Sequence, residues 1–172
     1  MGKKIAVVMT DLFEDVEYTK PAEAYKDAGH ELTVIEKEKG KTLTGKQGEA
    51  KVTVDATIDE VKPEDFDALL IPGGFSPDML RADDRFVDFA GKFMSGKKPV
   101  FAICHGPQLL ITAKSLEGRK ATGFKSIQVD LDYAGAKVSD EEVVNCGDQL
   151  ITSRQPDDIP AFNKESLSVL EQ

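Results

Sequence analysis

Apolar residues are grouped along this chain in two rhythms. Residues 4–9, 32–35, 68–71 and 99–103 are short, nearly continuous apolar runs rich in Val, Ile, Leu and Ala. Runs of that length, closed by Asp11, Pro72-Gly73-Gly74 or Cys104-His105-Gly106-Pro107, predict strands buried on both faces. Between them the apolar positions fall at helical spacing. Tyr18, Pro21, Ala22, Tyr25 and Ala28 define a first helix stopped by Gly29, and Phe86, Phe89, Ala90 and Phe93 define another. Residues 108–113 and 127–134 predict two more, and Ile159, Phe162, Leu167 and Leu170 a final amphipathic one. Asp11, three residues before Glu14, has the spacing of a capping box, and Pro21 is expected to bend the first helix. Residues 37–51, charged and glycine-containing, predict a loop or small hairpin, with a short strand at 52–54. Residues 143–146 and 149–152 predict a strand pair around Gly147-Asp148.

Strands alternating with helices predict an α/β fold with a mostly parallel sheet covered on both faces. Ligands bind such sheets beyond the carboxyl ends of their strands. The loop after Met9, the Pro72-Gly73-Gly74 turn and Cys104 all fall there. No repeat, low-complexity tract or linker divides the chain, so residues 1–172 read as one domain.

Composition narrows the function. With 31 acidic and 22 basic residues the net charge is −9, which argues against a nucleic-acid binder and against a polybasic membrane-surface protein. No apolar run approaches the length of a membrane span, and the basic start reads as a first strand and not as a secretory signal. Only two cysteines are present, Cys104 and Cys146, so a disulfide framework is not expected and a cytoplasmic location is.

Cys104 is the focus of candidate chemistry. It follows a strand and precedes a helix, with Gly106 to turn the backbone and Pro107 suited to a first helical position. That is the layout of a nucleophile elbow, and the helix N-terminus is expected to lower the thiol pKa. His105 is its neighbour, read as a functional partner over a simple turn cap. His30, at a helix-to-strand corner, reads as surface, and Cys146 as structural. Glu14 and Glu17 share one face of the first helix. They are either a solvated helix N-terminus or a carboxyl beside the Cys104 sulfur, protonated if buried. Gly73-Gly74 alone is a tight turn, or two backbone donors at the sheet mouth. Asp78 either caps a helix or orients a histidine. Metal motifs are missing, and Cys104, His105 and a distant Glu make only a weak metal set; no metal or other cofactor is expected.

Taken together, Phe13-Glu14-Asp15-Val16-Glu17, Pro72-Gly73-Gly74, Ala102-Ile103-Cys104-His105-Gly106-Pro107-Gln108 and Thr152-Ser153-Arg154-Gln155-Pro156 resemble the ThiJ/PfpI family, within the class I glutamine amidotransferase-like superfamily. The resemblance spans nearly the whole chain and is nearest the intracellular cysteine peptidase-like branch. It implies a flavodoxin-like three-layer sandwich. It implies Cys104 as nucleophile, His105 as its partner, Glu17 as the acid on the thiolate and Glu14 at the pocket mouth. Gly74 and His105 would supply oxyanion N–H groups, with Gly73 in the same binding turn. Asp78 stands where the peptidase-like branch has a Glu that reaches the histidine across a subunit interface. Two departures weaken a vigorous protease: Gln47 replaces a frequent His, and Phe124 replaces a Tyr. Amidotransferase activity is disfavoured because no histidine follows His105. Arg154 there reads as structural or interfacial.

The expectation is therefore a cysteine-dependent hydrolase of small peptides or reactive-carbonyl adducts, with a role in stress protection. The alternatives are a glutathione-independent glyoxalase acting on methylglyoxal, and a non-enzymatic redox sensor or chaperone using an oxidisable Cys104. The resemblance also implies self-association as a homodimer or dimer-built hexamer.

Overall fold

The computed structural model describes residues 2–172. Its elements, in chain order, are β1 (Lys4–Val8), α1 (Asp15–Asp27), β2 (Glu31–Glu36), β3 (Thr42–Thr44), β4 (Lys51–Thr53), β5 (Ala56–Thr57), β6 (Ala68–Ile71), α2 (Ser76–Leu80), α3 (Asp84–Ser95), β7 (Val100–Ile103), α4 (Pro107–Thr112), β8 (Lys120–Ala121), α5 (Gln128–Tyr133), β9 (Lys137–Val138), β10 (Val144–Cys146), β11 (Leu150–Ser153) and α6 (Ile159–Leu170).

The main sheet runs β10-β11-β7-β6-β1-β2-β5. Every pairing in it is parallel except that of β10 with β11. Side chains alternate between its two faces, as the pleat requires. Ala6, Val8, Leu69, Ile71, Val100 and Ala102 enter one core, where Phe86, Phe89 and Phe93 of α3 and the leucines of α4 cover them. Ile5, Val7, Ala68, Leu70, Phe101 and Ile103 enter the other, beneath Tyr18, Ala22 and Tyr25 of α1 and Phe162 of α6. The result is a flavodoxin-like three-layer α/β sandwich. Burial on both faces explains why the central strands are apolar throughout.

The structure departs from the sequence pattern in places. No capping box forms at α1: its N-cap is Glu14, without a side-chain bond to the backbone. Asp11 instead accepts from the Thr44 N–H at 2.9 Å, because the chain must first cross to the β3–β4 hairpin. His30 is buried, not at the surface, and its Nδ1 accepts the Lys3 N–H at 3.0 Å. Burial lowers its pKa, so it is held neutral. Short elements that carry little periodicity were not foreseen: α2, β5, and the small β8–β9 pair.

Candidate active site

The carboxyl ends of β1, β6 and β7 converge on one cavity of about 620 Å³, and Cys104 lies in it. Cys104 closes β7 in the left-handed region, at φ 64°. A non-glycine residue there is strained, and such strain persists only where the surroundings impose it. Here the backbone is fixed on both sides. Its N–H donates to the Ser153 carbonyl, and its carbonyl accepts from the Phe124 N–H, each at 2.9 Å. The strained turn sets Sγ toward the backbone N–H groups of His105 and Gly74, whose proximity favours the thiolate.

Glu17 lies behind the sulfur, fully buried in the first turn of α1. Its Oε1 accepts the Gly73 N–H at 2.9 Å. A side chain on Gly73 would lie 2.5 Å from that oxygen and 2.9 Å from Cys104 Cβ, so glycine is what allows the acid and the thiol to approach. Burial, and secondarily the Glu14 charge, push the Glu17 pKa up to about 8. Glu17 is thus a neutral acid at neutral pH. Its Oε2 is buried and accepts no hydrogen bond. A proton there keeps an unpaired charge out of a buried place beside the thiol, as the raised pKa of Glu17 requires.

The thiol differs from expectation. Its pKa is raised, first by burial and then by the proximity of Glu17. The helix N-terminus does not win, since α4 is a short helix and the thiol is nearly covered. The Glu17 charge that raises it is absent while Glu17 holds its proton. Burial therefore remains the chief opponent of the thiolate, countered by the two N–H donors.

His105 is half-buried and stacks on Phe124, with ring centroids 5.1 Å apart and planes at 29°. Phe124, short of a hydroxyl, thereby sets the imidazole's orientation. Burial lowers the His105 pKa and Lys46 lowers it further, while Asp78 opposes them. The imidazole is neutral and able to accept a proton. Asp78 is exposed in the first turn of α2 and shares the cavity wall with His105. Glu14 stands at the mouth, paired with Lys46 at 2.9 Å and with Gln47 at 3.2 Å. Gly74, at φ 80°, has its Cα against the Leu12 carbonyl, a place no side chain fits.

The structure thus brings Cys104, His105, Glu14, Glu17, Gly73, Gly74 and Asp78 to one place. Arg154 lies outside the cavity lining, held by Asp158 at 2.9 Å and Asp140 at 3.2 Å. Among the described residues no group of three His, Cys, Asp or Glu is arranged to hold a metal ion, and no helix is long and apolar enough to cross a membrane. Sequence reasoning passed over Lys46 and Asp15. Their visible signals were the Phe13-Glu14-Asp15-Val16-Glu17 segment for Asp15 and the glycine-flanked Gly45-Lys46-Gln47-Gly48 turn for Lys46.

A model of the DJ-1/PfpI family matches residues 3–169. General stress protein 18 of Bacillus subtilis is 74% identical over 172 residues, covering all of both chains. The protein/nucleic acid deglycase 2 of Escherichia coli is 60% identical over 170 residues, covering 99% of each. A crystal structure of a two-domain Anabaena variabilis protein with DJ-1/ThiJ/PfpI-like and ferritin-like domains superposes with a TM-score of 0.95 at 40% identity, covering 98% of this chain and 50% of that one.

Proposed function

The chain belongs to the DJ-1/PfpI family, and from that membership we propose that it is a cysteine-dependent hydrolase acting on reactive-carbonyl adducts of amines, in a stress-protective role. The observation that carries this reading is the setting of Cys104: a strained elbow in the cavity, two backbone N–H groups near the sulfur and a neutral acid behind it. The high identity to a deglycase over nearly the whole of both chains supports the substrate class.

The chemistry follows from the geometry. The neutral His105 imidazole takes the thiol proton and returns it to the amine, which leaves the carbinol carbon of the adduct as Sγ takes its place there, giving a hemithioacetal and the free amine. A proton then moves from that carbon to the neighbouring carbonyl carbon through an enediolate, whose negative oxygen the Gly74 and His105 N–H groups are placed to meet, and the hemithioacetal becomes a thioester. Glu17 keeps its proton and adds no opposing charge. Water hydrolyses the thioester to a 2-hydroxy acid and restores the thiol.

The test is turnover of methylglyoxal-modified peptide amines by the unaltered protein and by Cys104→Ser. Release of free amine by the first alone is expected, and equal rates would end the proposal. Unmodified peptides run in parallel separate an adduct hydrolase from a peptidase. A second reading, a glyoxalase, is favoured by Glu17, whose pKa of about 8 suits a proton shuttle. Lactate from free methylglyoxal at a rate above amine release selects it. Self-association is part of the proposal: Phe75 and Met79 leave 59% and 41% of their surface exposed beside Asp78 at the cavity mouth. Sedimentation of the unaltered protein measures it.

A further inference from the structure

The β3–β4 hairpin turn forms one wall of the cavity, though it lies more than fifty residues before Cys104 in the chain. Asp15, the first residue of α1, enters this turn from below. The residue is 2% exposed, and its carboxylate accepts three backbone N–H groups: Gln47 at 2.8 Å, Glu49 at 3.0 Å and Ala50 at 2.7 Å. Gly45 is needed for this, because a side chain there would overlap the Asp15 carboxyl group. Burial alone would push the Asp15 pKa up, but the three bonds outweigh it and the pKa is lowered. A buried carboxylate with three donors is a rigid pin. Two further backbone bonds tie the turn down: Lys46 N–H to the Phe13 carbonyl at 2.7 Å, and Leu12 N–H to the Thr44 carbonyl at 2.9 Å.

The pinned turn presents Lys46 to the cavity. Lys46 Nζ lies 2.9 Å from Glu14 and 5.7 Å from the centre of the Phe75 ring. Both Glu14 oxygens are then engaged, one by Lys46 and one by Gln47. The ammonium has three donors, and its ion pair uses one. The charged and titratable groups facing Cys104 are Glu14 and Glu17 from the α1 segment, Asp78 from α2, His105 beyond β7, and Lys46. Glu17 and His105 are neutral at neutral pH, and Asp78 is exposed at the rim. Lys46 is the only fixed cation among the described lining residues.

We propose that Lys46 is the counter-cation of the Cys104 thiolate, a specificity-determining residue that draws anionic electrophiles to the sulfur, and that Asp15 is the residue that positions it. This rests on Cys104 being the nucleophile. Lys46 and Cys104 line the same cavity, and the Lys46 pKa is raised first by its bond to Glu14 and further by the nearness of Cys104 and Glu17.

Alkylation in a Cys146→Ser background tests it, since Cys104 is then the only thiol. Rates with iodoacetate, which is anionic, and iodoacetamide, which is neutral, are measured across pH. Lys46→Met should lower the iodoacetate-to-iodoacetamide ratio about tenfold, the size expected for one nearby unit charge in a partly screened cavity. It should also move the midpoint of the iodoacetamide profile to higher pH. Lys46→Arg should keep both. Asp15→Asn, whose amide cannot accept all three N–H groups, should move both in the same direction as Lys46→Met but less. Added salt should lower the ratio in the protein that retains Lys46, which tests the idea even if a variant does not fold. An unchanged ratio and midpoint in Lys46→Met, or a salt-independent ratio, overturns the inference while leaving Cys104 as nucleophile. Failure of Cys104 to react with either reagent overturns both.

Discussion

The two cysteines of this chain occupy opposite kinds of place. Cys146 ends the edge strand β10, partly exposed, with its Sγ accepting the Lys120 N–H at 3.3 Å. Its backbone sits in an ordinary ladder opposite Leu150. Cys104 is nearly buried, in a left-handed conformation, with a neutral acid and the backbone N–H groups of His105 and Gly74 near its sulfur. Burial opposes ionisation at Cys104, so exposure and acidity are not what would make it the reactive thiol. What separates the two is organisation. An acid, an imidazole and two backbone N–H groups gather around Cys104, whereas the Lys120 N–H is the one group hydrogen-bonded to the Cys146 sulfur.

That contrast breaks most sharply on turnover. Cys104→Ala should reduce amine release from modified peptides by at least about 1000-fold, as loss of a nucleophile does in enzymes that depend on one. Cys146→Ala should change it less than about twofold, because nothing around Cys146 touches the cavity. Steady-state rates of the two variants make the comparison, and comparable losses would remove the distinction drawn here.

Glu17 sharpens the same comparison through pH. Its pKa is raised from 4.5 to about 8 by burial, so the folded protein keeps a proton that the unfolded chain releases. Stability from this group is therefore fully present below about pH 4.5 and is lost as pH rises toward 8. Glu17→Gln removes that slope. Urea unfolding should show the variant gaining on the parent by at least about 1 kcal/mol between pH 5 and pH 8. The amide is also permanently neutral, so the limb of the turnover profile near pH 8 should vanish. A parent protein whose stability does not fall over this range would mean that Glu17 is ionised throughout.

The legible part of this molecule is the part written in long periodic segments. The four buried runs became β1, β2, β6 and β7, and the phenylalanine spacing became α3, because burial on two faces or on one stripe leaves a direct mark on composition. Cys104 was legible through its neighbours, since a strand, Gly106 and Pro107 in succession constrain the backbone between them. Its raised pKa was not, because the depth of burial depends on chain segments remote in sequence, Glu17 and Gly73 among them. Asp15 was hidden for a related reason. A carboxyl at a helix start ordinarily meets solvent or its own helix, and here it fastens a hairpin some thirty residues on. His30 was misplaced because a corner position says nothing of the Lys3 amide that covers it.

The smallest expected effect concerns the backbone alone. A non-glycine residue in the left-handed region costs about 1 kcal/mol relative to glycine. Cys104 carries that cost at φ 64°, and Cys146, within a strand, does not. Cys104→Gly should thus recover the strain, offset by the greater freedom glycine has in the unfolded chain and by the loss of a nearly buried side chain. Against Cys104→Ala, which removes the sulfur but keeps the strain, Cys104→Gly should be as stable or up to about 1 kcal/mol more stable. The paired Cys146→Ala and Cys146→Gly variants should show the reverse order, since glycine weakens a strand. Denaturant midpoints of the four proteins measure it. If glycine destabilises both positions equally, the elbow stores no strain, and the reactive setting of Cys104 rests on its hydrogen-bond donors and on Glu17 alone.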